Sequence, residues 1–277
     1  MSILSPKGLW QATAETVRHV TKHRELTWAM AKRDFADRYV GQVLGLFWAV
    51  GYPLLIMGVF IFIFSVVFKV RVGGTRDLPF GYAVYILAGL IPWLSFAEVM
   101  AKSPEAIIAN AALVKQVIFP LEVVPIKVVL GALPAQLVSL GVLVVYTVAV
   151  YQFLPWTYLL LPWLLFLQII LATGVAYILA AVGVFIRDTK DFVQILVFVG
   201  LYALPIVYLP EWVPGFLRPI LYINPLSYMI WCYQDAFYYG RFEHPFAWGI
   251  FMFVSIGTFG VGALLFTRLK TYFGNHL

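Results

Sequence analysis

The sequence predicts an all-α membrane protein with six transmembrane helices per subunit, and three observations carry that expectation. Of 277 residues, 62% are hydrophobic and 12% charged, whereas a soluble domain has about 25% charged residues. The apolar residues fall in long charge-free runs, one of them 59 residues long over 128–186. The basic residues are divided unequally between the loops on the two sides of the predicted spans.

The runs place spans at about 44–68, 78–99, 123–151, 157–186, 192–210 and 245–267, each long enough for a ~30 Å apolar core at ~20 residues per crossing. The 59-residue run suits two helices, broken near Tyr151–Pro155 by Gln152 and Pro155. Residues 1–43 form a cytoplasmic arm, 44–267 the transmembrane domain and 268–277 a cytoplasmic tail. With the N-terminus inside, fourteen Lys or Arg fall on the inner side and five on the outer. Basic residues stay on the cytoplasmic side, so both termini are expected there. The first 40 residues hold no signal-type apolar stretch, and no cleavage is expected.

Three shorter elements complete the expectation. Over 25–39 the arm reads as an interfacial helix, with Trp28, Phe35 and Tyr39 on one side and Asp34 and Arg38 paired at i,i+4 on another. On the inner side, Ser103 is expected to cap a short helix over 104–119, with Pro104 at its first position and Glu105 at the positive end of its dipole. On the outer side, 219–234 is uncharged but too short to cross. Either a re-entrant hairpin turning at Ile223-Asn224-Pro225 or a helix lying flat on the leaflet satisfies it. Apolar residues on all sides favour the hairpin.

Several chemistries are excluded. The dipeptide Gly-Lys is absent, so no phosphate-cradling loop is present, and the chain is expected not to be an enzyme. Cys232 is alone, the four histidines lack ligand spacing, and no metal site is expected. The carboxylates sit at span boundaries, Glu98 among them, which argues against ion coupling. Energy must come from another subunit.

Four local patterns then bear on family. They are Lys32-Arg33-Asp34 with Arg38-Tyr39, Leu44-Gly45, Trp48 and Pro53; Asn110 with Leu113-Val114-Lys115, Phe119-Pro120 and Pro125; Phe185-Ile186-Arg187-Asp188; and Ile223-Asn224-Pro225-Leu226. In this order on six spans, the chain resembles the membrane (permease) subunit of bacterial polysaccharide ABC exporters, which carry O-antigen, teichoic acid and capsule chains. One departure stands out: Gln234 and Asp235 occupy a region where such permeases often carry a basic residue. The resemblance implies a homodimer in the bacterial inner (cytoplasmic) membrane, bound to two copies of a separate ABC ATPase that holds ATP and Mg. It implies an undecaprenyl-diphosphate-type lipid-linked glycan as cargo, with no cofactor on this chain and no nucleic acid as partner.

Candidate residues follow. Glu105, Asn110, Lys115, Arg187 and Asp188 are expected to couple the chain to the ATPase; a plain connecting helix is the simpler reading of that loop. Lys32, Arg33 and Arg38 lie where head groups lie and are candidates for the lipid diphosphate, since arginine forks two hydrogen bonds to phosphate; the same charges also satisfy the positive-inside rule. Trp48, Tyr52, Phe60, Tyr82, Trp93, Phe198 and Tyr202 are candidates for the glycan path, because sugar C–H faces stack on aromatic rings; aromatic belts at the interfaces are the alternative. A drug- or lipid-exporting ABC permease and a channel without ATP coupling remain the competing functions.

Overall fold

A computed structural model describes residues 6–37, 45, 47–68, 80–114 and 119–275, and within them every regular element is helical. Four helical stretches among these residues are long and apolar enough to cross a membrane: Tyr82–Glu105, Val123–Tyr151, Trp156–Phe185 and Pro245–Gly274. The expected first and fifth spans are shorter or irregular.

The arm holds α1 (Pro6–Lys22) and α2 (Arg24–Asp37). The amphipathic helix is α1, not the predicted one. Its buried stripe is Ala12 and Thr16, at i,i+4, and it packs on the last long helix. Helix α2 has no apolar side: it buries the small Thr27 and Ala31 against the second long helix, Val123–Tyr151, and leaves Leu26 and Trp28 exposed. Small side chains let its backbone approach closely; of the predicted aromatic stripe, Trp28 is exposed and Phe35 half-buried. Tyr39 and Arg38 lie outside the described residues.

The first expected span forms α3 (Phe47–Ile61), which widens into a π turn at Phe62–Val67. Helix α4 (Tyr82–Lys102) follows and is the centre of the bundle, buried on nearly every side. It ends at Lys102, directly before Ser103, where the inner helix was expected to be capped. Ser103 caps nothing; its hydroxyl donates back to the Val99 carbonyl at 2.6 Å. Pro104 has no N–H to continue the α ladder, and the chain tightens into 3₁₀ turns at Ser103–Glu105 and Ile108–Asn110 before the single turn α5 (Ala111–Val114). The predicted continuous helix is therefore a broken series of turns over 103–114.

Helix α6 (Val123–Tyr151) ends at Gln152 in a left-handed conformation, φ 54°, at the predicted break. A 3₁₀ turn at Trp156–Leu160 leads into α7 (Leu161–Phe185). Helix α7 packs along α11 (Pro245–Leu269), crossing where Gly174 meets Phe259 and Gly262. A Cβ on Gly174 would lie 2.6 Å from the Phe259 nitrogen. Small residues permit such close backbone approach within a membrane.

Helix α8 (Thr189–Ala203) stops short of the predicted 192–210 span. Pro205 disfavours helix at the residue before it, and Leu204 is extended, ψ 153°. Residues 204–209 instead fold back into the bundle, burying Leu204, Ile206 and Leu209. Their backbone carbonyls would otherwise be unpaired in an apolar setting, at a cost of several kcal/mol each. Side chains supply the donors. Tyr82 donates to the Val207 carbonyl at 2.7 Å, Tyr85 to that of Tyr208 at 3.0 Å, and Gln234 Nε2 to that of Pro205 at 2.7 Å.

The segment before α11 breaks where the sequence placed its turn. Helix α9 (Arg218–Ile223) ends at Asn224, whose side chain accepts from the Leu226 N–H at 3.0 Å and caps α10 (Pro225–Gln234). From Ser227 to Gln234 every residue of α10 is buried, among α4, α7 and α11, whereas α9 exposes Ile220, Tyr222 and Ile223. A π turn, Asp235–Tyr239, and Gly240 at φ 64° then reverse the chain toward α11. The carbonyls of Ala236 and Phe237 in that turn accept from Thr157 at 2.7 Å and Tyr158 at 3.1 Å.

Candidate functional site

Two of the five predicted coupling residues meet. Glu105 in the 3₁₀ turn and Arg187 after α7 line a cavity of about 320 Å³ with Pro104, Ile108, Gly183 and Lys190. Lys190 Nζ lies 2.9 Å from Glu105 Oε1 across that cavity, tying α8 to the turn. The Glu105 hydrogen bond and charge raise the Lys190 ammonium above its ordinary range. Gly183 lets the Pro104 backbone rest directly on α7. Asp188 is exposed at the N-terminus of α8, without a side-chain capping bond. Asn110 sits apart: it donates to the Ala106 carbonyl at 2.7 Å and accepts from Lys127 Nζ at 3.1 Å. Lys127 in turn lies 3.8 Å from Asp34, so the arm, the inner turns and α6 share one lysine. Lys115 lies outside the described residues.

Of the proposed phosphate ligands, Lys32 and Arg33 are exposed on α2, and Arg33 lies 3.4 Å from Asp37. Arg38 lies outside the described residues. The aromatic candidates divide into two groups. Tyr82 and Trp93 are buried in the core, Tyr82 as a donor to the 204–209 segment and Trp93 against Gly200 of α8. Tyr52, Phe198 and Tyr202 face outward from α3 and α8, the last two edge to face at 5.9 Å, while Trp48 and Phe60 are half-buried. Tyr52 also stands beside a mostly apolar cavity of about 310 Å³, whose polar lining is Ser95, Glu98, Gln136 and Ser139.

The structure adds a polar centre that sequence reasoning missed. Gln136 of α6 and Gln168 of α7 exchange hydrogen bonds at 2.8 and 3.1 Å, Tyr233 of α10 donates to Gln168, and Gln168 reaches the Pro92 carbonyl at 3.3 Å. All three side chains are buried. Gln136 and Gln168, two of the three glutamines inside a 59-residue charge-free run, were the available signal. Lys190 joins the site as well, two residues beyond the Arg187-Asp188 pair.

No group of three His, Cys, Asp or Glu able to hold a metal occurs among the described residues. The candidate site is a set of inter-helix joints in a bundle whose long apolar helices suit a membrane. The profile of the family described as ABC-2 type transporter matches residues 25–238, and the chain belongs to that membrane family. It is 30% identical over 256 residues to an O-antigen export system permease protein RfbA of Klebsiella pneumoniae, covering 91% of this chain and 95% of that one. It is 29% identical over 227 residues to the protein of the same name from Myxococcus xanthus, covering 81% and 85%. The chain is an ABC-2 permease homologous to O-antigen export permeases, and its family implies a partner ATPase.

Proposed function

We propose that this chain is the membrane subunit of an ABC exporter that moves a lipid-linked, O-antigen-like polysaccharide across the bacterial inner membrane, driven by ATP hydrolysed on a separate subunit. The observation that carries the reading is the likeness to O-antigen export permeases across nine-tenths of the chain. On this reading both termini are cytoplasmic, in keeping with the fourteen-to-five division of basic residues. Six crossings are completed by α3 with its π turn and by α8, and α9 and α10 form the re-entrant outer hairpin. The uniform burial of α10 favours that over a flat helix, which would keep one side outside the bundle.

Two copies of the permease pair with two ATPase subunits that hold ATP and Mg. The 3₁₀ turns carrying Glu105 receive their motion, and the Glu105–Lys190 pair passes it to α8. Lys32, Arg33 and Arg38 attract the undecaprenyl-diphosphate-type head group, each basic residue contributing about 1 kcal/mol at a lipid surface. The outward rings of α3 and α8 line the sugar path between the copies.

The test is reconstitution of the permease with its ATPase in liposomes holding lipid-linked glycan. ATP-dependent appearance of glycan on the far side is expected. Transport of lipid or drug without glycan, or glycan passage without ATP, would overturn the reading.

A further inference from the structure

Asp235 is buried at the end of α10 and bonded to the start of α11 through three donors. The His244 backbone N–H and Trp248 Nε1 each reach Oδ2 at 3.0 Å, and His244 Nδ1 lies 2.8 Å from Oδ1. The other side of the imidazole is covered by Trp231 of α10, with ring centroids 5.2 Å apart and planes within 7°. His244 therefore lies between a buried carboxylate and an indole face, both belonging to the α10 segment, while its own backbone begins α11.

We propose that His244 is a positioning residue strengthened by a proton: on gaining its second proton it holds α10 more tightly to α11. Imidazole is the side chain that ordinarily gains charge between pH 5 and 8. The charged ring keeps its Nδ1 bond to the Asp235 carboxylate and turns it into a hydrogen-bonded ion pair. The same charge is attracted to the Trp231 face, within the ~6 Å reach of a cation–π contact. Both gains pull on α10 from the α11 side.

The other titratable groups around the ring do not oppose this. Tyr239 of the π turn meets it at 5.7 Å, and Glu211 is within electrostatic reach of that tyrosine. Arg241 and Glu243 in the intervening loop face each other at 2.8 Å and are partly exposed. Helix α9 contributes Tyr222 against Trp231, α4 contributes Tyr85 against Tyr238, and Cys232 lies on α10 itself. On the exporter reading above, on which this consequence rests, acid on the hairpin side slows export by holding α10 in place.

Cys232, the chain's single cysteine, is buried on α10 and reports its opening without any engineered residue. The experiment measures N-ethylmaleimide labelling of Cys232 by mass spectrometry in the full chain, held in phospholipid nanodiscs at pH 8 and pH 6. The quantity read is the rate in His244→Gln divided by the wild-type rate, which removes the part of the thiol's pH dependence that the two proteins share. That ratio is expected to rise roughly threefold to tenfold from pH 8 to pH 6. A ratio unchanged with pH overturns the proposal. Asp235→Asn keeps an acceptor oxygen but removes the charge and is expected to reproduce much of that rise; labelling that tracks wild type at both pH values also overturns it, and this comparison serves if His244→Gln does not fold. Trp248→Phe removes one donor and spares the histidine, so its ratio to wild type is expected to exceed one equally at both pH values; a ratio of one at both would remove the clasp. Neither ATP nor glycan is needed, so the outcome is separate from that of the transport test.

Discussion

The ammonium of Lys270 lies 2.6 Å from a carboxylate oxygen of Glu122, joining residues 148 positions apart. The pair ties the end of α11 to the start of α6, above a small core of Ile107, Val124, Tyr177, Phe266 and Phe273. Tyr177 reinforces it by donating to the Glu122 carbonyl at 3.1 Å.

That pair fixes a pH dependence. Burial alone would raise the Glu122 carboxyl, but the Lys270 hydrogen bond and charge, with His19 of α1 adding to them, hold it below its ordinary value of 4.5. A depressed carboxyl stabilises the fold above its unfolded-state value, and the contribution is lost as pH falls through the lower folded-state value. Glu122→Gln is expected to cost about 1–3 kcal/mol at neutral pH, the lysine being partly exposed. The gap to wild type is expected to close below pH ~4. Unfolding of the two proteins in detergent at pH 7 and in acid checks both statements; a gap independent of pH counts against the assignment.

The α7–α11 crossing predicts a steric penalty. Gly174→Ala places a methyl 2.6 Å from the Phe259 backbone nitrogen, so the helices must separate. A loss of about 1–3 kcal/mol is expected. Gly257→Ala, on the same helix pair but with open space at its Cβ, is expected to be neutral or slightly stabilising. Equal thermal midpoints for the two variants would show that the crossing is looser than described.

The glutamine centre predicts a coupling. Gln168→Leu takes from the buried Gln136 and Tyr233 their shorter bonds and leaves them the 3.4 Å contact with each other, at about 1–3 kcal/mol for each polar group stranded from Gln168. Gln136→Leu in the same protein removes one of those stranded groups. The double variant is therefore expected to lose less than the sum of the single losses, by about 0.5–3 kcal/mol. Strict additivity in a double-mutant cycle would mean that the two side chains do not depend on each other.

Much of the bundle is legible in the sequence because hydrophobic length and proline act locally. The break after Tyr151, the turn at Ile223-Asn224-Pro225 and the long apolar helices all follow from nearest neighbours. What escaped depends on partners distant in sequence. Whether 204–209 can leave the helix depends on donors from Tyr82, Tyr85 and Gln234, which lie on other helices. In α2 the aromatics stand out in the sequence, whereas its buried residues, Thr27 and Ala31, are picked out only by the neighbouring α6. At Ser103 two local rules compete, capping against a bond to the residue four earlier, and the second prevails because α4 is already helical there. In the candidate site, residue types could be read but not their pairing; Glu105 carries no mark that its partner is Lys190, 85 residues away.

The Glu105–Lys190 pair is the joint through which the exporter reading can be tested on this chain. Both side chains are about half exposed, so the pair contributes little to folding. Its removal is expected to leave the amount of folded protein in the membrane unchanged. If the pair transmits motion, Lys190→Glu places two acids across the cavity beside Arg187 and pushes α8 away from the 3₁₀ turn. Transport and the stimulation of the partner's ATP hydrolysis are then expected to fall together, by about tenfold or more, as like charges replace a hydrogen-bonded pair. Exchanging the charges, Glu105→Lys with Lys190→Glu, restores the attraction and is expected to recover much of both activities. Recovery distinguishes a mechanical joint from a simple need for a positive charge at 190, which the exchanged protein would fail to meet. If both single variants transport and stimulate hydrolysis as wild type does, motion does not pass through this pair, and the apolar seating of Pro104 on Gly183 becomes the remaining route between the inner turns and the spans.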